Sequence, residues 1–326
     1  MRLHAKYFIA VFVCIVLLLA GFLIWRRTVV NESESNSPHK LRIVTTLFPM
    51  YDMVRAIGGT EVSIMMILPP GVEAHGFEPK VGDLAAIQNA DLFIYTSDSM
   101  EPWVHDVIQT TQKSSTQVLM ATEGLSLQIR NEESHEGESA AEHDSHEDGE
   151  MLDPHVWLDL GRAQDIARAI ANRLVELDPK NASLYRRRLA AWTGRAETLD
   201  VAYVESLASC SERTVVHAGH FSFGYLMDRY DLRYEALQGY SPDSEPTPAR
   251  LAALIQLIRD GNIKTIFAEE LVSPRFAESL AQETGVKIEM LHTAHNLSAE
   301  DRKNSVTYFA IMERNLAALT RGLACQ

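Results

Sequence analysis

LRIVTTLFPMYDMVRAIGG, residues 41–59, decides the fold. Arg42–Thr46 is an apolar, β-branched run of strand length. Met50, Met53, Val54 and Ile57 then repeat at helical spacing, and Gly58-Gly59 stops the helix. A strand turning at once into a helix is the first half of a βαβ unit, and the unit recurs. Further strands are predicted at Val62–Leu68, Asp91–Thr96, Gln117–Met120, Thr214–His217, Ile263–Ala268 and Lys287–Leu291. A second clear helical period, Ala249–Arg259, is closed by Gly261. Alternation of this kind implies parallel sheets covered by helices on both faces.

Two segments break the alternation. Tyr185, Leu189, Trp192, Ala196, Leu199 and Tyr203 mark one face of a long helix over 181–209, with Asp178-Pro179 as its start signal. A chain of 326 residues tends to divide. The expected architecture is therefore α/β, with two βα lobes of parallel sheet joined by a long rigid connecting helix and a ligand cleft between them. The lobes are placed at 41–180 and 210–326. The other break, Asn131–Glu150, holds nine acidic residues, three histidines and no basic residue. It is too polar to bury enough surface to offset its ordering entropy and reads as a loop.

The N-terminus reads as a targeting segment. Arg2 and Lys6 precede an apolar run from Tyr7 to Trp25, and Arg26-Arg27 and a polar linker to Lys40 follow. The run approaches the roughly 20 residues that span a bilayer and shows no A-x-A cleavage site. Residues 1–40 read as an uncleaved membrane anchor, with a cleaved signal peptide as the alternative. Basic residues at both ends leave the orientation open.

A formal net charge of −14 argues against a nucleic-acid partner. Of the three cysteines, Cys14 lies in the apolar run. Cys210 and Cys325 are equally compatible with a disulfide and with two free thiols, and the absence of CxxC excludes a cysteine-type zinc ribbon or finger.

Histidines sit where ligands bind in open α/β sheets, beyond the carboxyl ends of strands. His75 follows the second strand in PPGVEAHGFEP, His220 follows Thr214–His217 in VVHAGHFSFGY, and His292 follows Lys287–Leu291 in EMLHTAHN. Glu269 and Glu270 close the strand before that, and His155 in LDPHVWLD lies where the acidic loop returns to folded chain. A single loop histidine is ordinarily solvated or a cap. Convergence from both halves on one cleft is what points to a metal, since imidazole nitrogens are preferred ligands of Zn²⁺.

These segments resemble the extracytoplasmic solute-binding proteins of zinc and manganese ABC transporters. The likeness runs from Leu41 to the C-terminus through LRIVTTLFPMYDMVRAIGG, EAHGFEPKVGDLAAIQNADLFIY, DPHVWLD, GHFSFGYLMDRYDL, FAEELVSPRFAESLAQETG and TYFAIMERNLAAL. It implies metal ligands at His75, His155 and His220, and a fourth at His292, with Glu270 or a water as the alternative. His217 falls three residues too early for the motif. Glu269 would orient a ligand histidine, and His135, His143 and His146 in the acidic loop would capture zinc weakly. The implied cargo is Zn²⁺, with Mn²⁺ as runner-up because it prefers oxygen donors.

The implied protein is a monomer, held at the membrane by its N-terminal segment. Its partner is a permease whose ATPase is a separate chain, since no GxxxxGK[ST] occurs here. A surface adhesin of the same family is an alternative. A zinc hydrolase is a remote one, because HExxH is absent and a four-histidine site leaves no open position.

Deleting Asn131–Glu150 should leave the fold and the tight site intact and remove weak zinc binding. Titration calorimetry decides: an unchanged number of weak sites after the deletion would sink the capture role.

Overall fold

A computed structural model describes residues 40–111, 115–128, 152–239 and 245–326. The expected N-terminal anchor and the acidic loop with His135, His143 and His146 lie outside the described residues. Leu41–Gln326 forms one compact unit. Among the described residues no helix is long and apolar enough to cross a membrane.

Chain order is β1 (Leu41–Thr45), α1 (Phe48–Gly58), β2 (Val62–Met66), α2 (Val81–Gln88), β3 (Leu92–Tyr95), α3 (Val104–Thr111) and β4 (Gln117–Met120). Next come α4 (Leu160–Leu177), α5 (Ala182–Ala208), β5 (Thr214–His217), α6 (Gly224–Arg229), β6 (Arg233–Ala236) and α7 (Pro248–Asp260). β7 (Thr265–Glu269), α8 (Arg275–Thr284), β8 (Lys287–Leu291), α9 (Ala299–Lys303) and α10 (Tyr308–Gly322) complete it. β2-β1-β3-β4 and β6-β5-β7-β8 are two four-stranded sheets, and their pairs are parallel. The two-lobe α/β architecture expected from the sequence is thus present, with α5 between the sheets in chain order.

α5 buries Tyr185, Trp192, Ala196, Leu199, Tyr203 and Leu207, most of the face marked out by the spacing. Its start differs from expectation. Pro179–Asn181 forms a separate 3₁₀ turn, and the Asp178 side chain makes no capping hydrogen bond to it. The Asp178 carboxylate instead accepts hydrogen bonds from Asn181 Nδ2 at 2.7 Å and Tyr185 Oη at 2.8 Å. β6 was not anticipated: RYEA is a short edge strand with two charged residues and no apolar run to signal it.

Gly59 has φ +59°, and a Cβ there would lie 2.5 Å from the Arg188 guanidinium carbon. The glycine stop after α1 therefore serves twice. It reverses the chain, and it admits Arg188, which donates to Gly58 O at 2.7 Å and Glu61 Oε2 at 2.6 Å.

α10 braces the connector. Tyr203 Oη donates to Met312 O at 2.6 Å, and Trp192 stacks on Tyr308 with ring centroids 5.9 Å apart. Tyr308 also reaches the other half of the chain. Its N–H donates to Asp52 Oδ2 at 2.9 Å and its hydroxyl to Trp157 O at 2.6 Å. Beyond α10, Cys325 forms a disulfide with Cys210, just past the end of α5. The alternative of two free thiols is thereby resolved.

The disulfide closes a loop with a sequence separation of 115, and long closed loops restrict the unfolded chain most. Cys210→Ser with Cys325→Ser should lower unfolding free energy by about 2–4 kcal/mol. Equilibrium denaturation of the soluble part checks it, and an unchanged midpoint would contradict it.

Candidate metal centre

Four imidazoles meet where the carboxyl ends of both sheets face each other. His75, His155, His220 and His295 each offer a ring nitrogen, and the four atoms lie within 4.8 Å of one another. The ring centroids are nearly equidistant. His75 lies 5.3 Å from His155, 5.3 Å from His220 and 5.2 Å from His295. His155 lies 5.3 Å from His220 and 5.0 Å from His295, and His220 lies 5.5 Å from His295. Near-equal distances among four points describe a tetrahedron.

Three of the four were expected here, and His292 was not the fourth. β8 ends at Leu291, and the chain needs a few more residues to turn into the cleft. It does so through Ala294, held in the left-handed region at φ +60°, and so presents His295. The His292 ring stays beside Glu270, with Nδ1 2.9 Å from Oε1. Glu270 is also outside the cluster. Its carboxylate accepts from Thr293 N at 3.0 Å and Thr293 Oγ1 at 2.6 Å. A signal for His295 was in the sequence. That signal is incomplete: His220 lies three residues past the end of its strand, and the same offset applied to β8 passes His292 but stops at Ala294, one residue short of His295.

His217 ends β5 and also lies outside the cluster. It is buried, with Nδ1 3.1 Å from His220 O and 2.9 Å from Tyr234 Oη. Burial pulls its pKa down to about 4.

Carboxylates outside the cluster aim two of the rings. Asp153 Oδ1 accepts from His155 Nδ1 at 2.8 Å and from its backbone N–H at 3.0 Å. Glu269 Oε2 lies 2.6 Å from His220 Nδ1, and Oε1 accepts from the His220 N–H at 3.1 Å. The position of Glu269 depends on Gly219, where a Cβ would stand 2.5 Å from Oε1. With the Nδ1 proton turned toward the carboxylate in each ring, Nε2 is left bare. The bare Nε2 of His155 then faces Nε2 of His75 at 3.3 Å and Nε2 of His220 at 3.4 Å. The His295 Nε2 is buried without a hydrogen-bond partner.

Lone pairs directed at one another suit a shared cation. For Zn–N bonds of about 2.0–2.1 Å, a tetrahedral edge is about 3.3–3.4 Å. The donor set therefore fits a tetrahedral, nitrogen-preferring ion.

Burial keeps most of the cluster neutral. It pulls His75 down to about 3, and His155 and His295 well below the ordinary value, with neighbouring imidazoles adding to the effect. For His220 burial acts in the same direction, but the Glu269 carboxylate outweighs it and the pKa is raised. Glu269 is itself held low: burial raises it and His220 more than compensates.

Residues 43–322 match the family described as "Zinc-uptake complex component A periplasmic". The chain belongs to this family. Among its curated relatives, the high-affinity zinc uptake system protein ZnuA of Bacillus subtilis is 35% identical over 292 residues, 89% of this chain and 90% of that protein. The zinc-binding lipoprotein AdcA of Streptococcus pneumoniae R6 is 34% identical over 290 residues, 88% of this chain. The matched region spans only 57% of AdcA.

Solved structures agree with this placement. The Zn(II)-bound ZnuA-like domain of S. pneumoniae AdcA superposes with a TM-score of 0.73 at 32% identity, covering 87% of this chain and 99% of that one. The laminin-binding protein Lmb of Streptococcus agalactiae, described as having adhesin and metal-transporting activity, gives 0.76 at 31% identity, covering 87% and 100%.

The raised His220 pKa sets the pH response of this ZnuA-family site. Below that pKa a proton occupies the Nε2 that an ion needs. Zinc affinity should therefore fall about tenfold per pH unit on the acid side and be flat above it. Removing the carboxylate lowers the His220 pKa, so Glu269→Gln should move the break to lower pH. Chelator competition across a pH series checks both, and a break that stays in place in Glu269→Gln would contradict the assignment.

Proposed function

We propose that this chain captures Zn²⁺ outside the cytoplasmic membrane and delivers it to an ABC-type permease driven by a separate ATPase chain. The near-regular tetrahedron of imidazoles from His75, His155, His220 and His295, the last three buried and His75 partly so, carries this reading. Asp153 and Glu269 orient His155 and His220 through the nitrogens facing away from the ion, as metal-bound imidazoles require. The ion is cargo. Four protein donors leave no open position for a water or a substrate, so the site binds without catalysing.

The donor set also chooses the metal. Four neutral nitrogens suit Zn²⁺ and offer Mn²⁺ none of the carboxylate oxygens it favours. Zinc-binding relatives support the same choice. The Cys210–Cys325 disulfide supports an oxidising, extracytoplasmic setting. Residues 1–40 serve as anchor or export signal, and 131–150 as a weak collector of zinc. The chain acts as a monomer, with lobes at 41–180 and 210–326 and a connector at 181–209.

The soluble protein should bind one tight zinc per chain. His295→Ala should weaken binding well over tenfold, as should His75→Ala, His155→Ala and His220→Ala, while His292→Ala stays near wild type. Metal analysis with chelator competition, zinc against manganese, measures all five variants. A large loss in His292→Ala with full affinity in His295→Ala would overturn the ligand set.

A further inference from the structure

The segment that carries His295 follows the last strand of the second sheet, and its start is tied there, His292 to Asn315 and Thr293 to Glu270, yet from the Thr293 carbonyl onward its hydrogen bonds cross to the first half of the chain. Trp157 Nε1 donates to Thr293 O at 2.8 Å. The Phe48 N–H donates to His295 O at 3.0 Å, and the Gly71 N–H to Leu297 O at 2.8 Å. Between them lies Asn296, fully buried. Its Nδ2 donates to Pro69 O at 2.6 Å and to Val72 O at 2.9 Å. Its Oδ1 accepts from the Leu297 N–H at 2.8 Å. Donors and acceptor are all used, so the amide cannot be turned round without setting oxygen against oxygen.

Pro69 and Val72 belong to the loop that leads from β2 to His75. One side chain thus clamps the loop bearing one imidazole to the residue next to another. Trp157 adds a third connection. Its ring packs edge-on against His155 at 5.6 Å and His295 at 5.2 Å between centroids. By contrast, His220 is fixed by Glu269 and by Tyr234, all on the β5–β6–β7 side of the cleft.

We propose that Asn296 is a positioning residue of the metal centre, fastening the His75 loop to the His295 loop so that both imidazoles, with His155, belong to one body. This rests on the zinc-binding reading. The ion is then held by three nitrogens of one body and by His220 from the other, although His295 comes from the second half of the sequence. Loosening the clamp frees two ligands at once, so it acts on coordination geometry and ion release rather than on folding alone.

Asn296→Ala removes both donors. Asn296→Asp keeps the volume and the Oδ1 contact but sets an oxygen against two carbonyls. Both should release zinc to an excess of chelator at least about tenfold faster than wild type in stopped flow. Both should also weaken the visible absorption of the Co²⁺-substituted protein, because tetrahedral Co²⁺ absorbs strongly and higher coordination does not. Tyr203→Phe, which loses the buried bond to Met312 far from the site, controls for general destabilisation and should keep both signals. Wild-type release and spectrum in both Asn296 variants, with zinc bound normally, would overturn the proposal alone. A wild-type protein that takes up no zinc would overturn the metal reading, and the proposal with it.

Discussion

Everything at the centre follows from aiming uncharged nitrogens at a single point in a dry place. A buried imidazole is useful to a cation only if it stays neutral and turns its lone pair inward, and burial alone ensures only the first. Orientation has to come from the opposite side of each ring. Asp153 provides it for His155 and Glu269 for His220, and each grips a backbone N–H of the same residue as well. Ring and main chain are therefore aligned by one carboxylate, which removes two freedoms together. The cost is a close approach of Glu269 to the loop that carries His220, tolerated because residue 219 has no side chain.

The scaffold explains how four such residues arrive from distant points in the chain. Each sheet delivers loops at its carboxyl edge, and these edges oppose each other because α10 is packed along α5 while Tyr308 reaches across to Asp52 and Trp157. A large aromatic core, with Trp157, Tyr185, Tyr203 and Tyr308 fully buried, makes that arrangement stiff. Their polar tips mostly end on backbone carbonyls or a carboxylate, so burial of these hydroxyls and of the indole N–H costs little.

Much of this was readable from residue order, and the failures have physical causes. Strands with continuous apolar runs announced themselves, because parallel strands are covered on both faces. Arg233–Ala236 did not, since an edge strand needs only backbone partners and half a face. His75, His155 and His220 stood out through their motifs. His295 was passed over for His292 because strand ends are legible and loop paths are not. A residue in left-handed conformation at Ala294 redirects the chain, and nothing about an alanine signals that. The partners of Asn296 lie more than two hundred positions away in sequence, at separations of 224 and 227, beyond the reach of any local pattern.

The bond between Cys210 and Cys325 turns the chain that follows α5, residues 210–325, into a covalent hoop mounted on the end of that helix. Every residue that this stretch contributes to the cleft, His220, Glu269 and His295 included, lies inside the hoop. Outside the cytoplasm, where this family works, a chain meets proteases without any route to resynthesis on the spot. A single cut within the hoop cannot detach a fragment, because both new ends remain tethered through the two sulfurs. The severed pieces stay at the high effective concentration of an intramolecular pair, free to close again on the same ion.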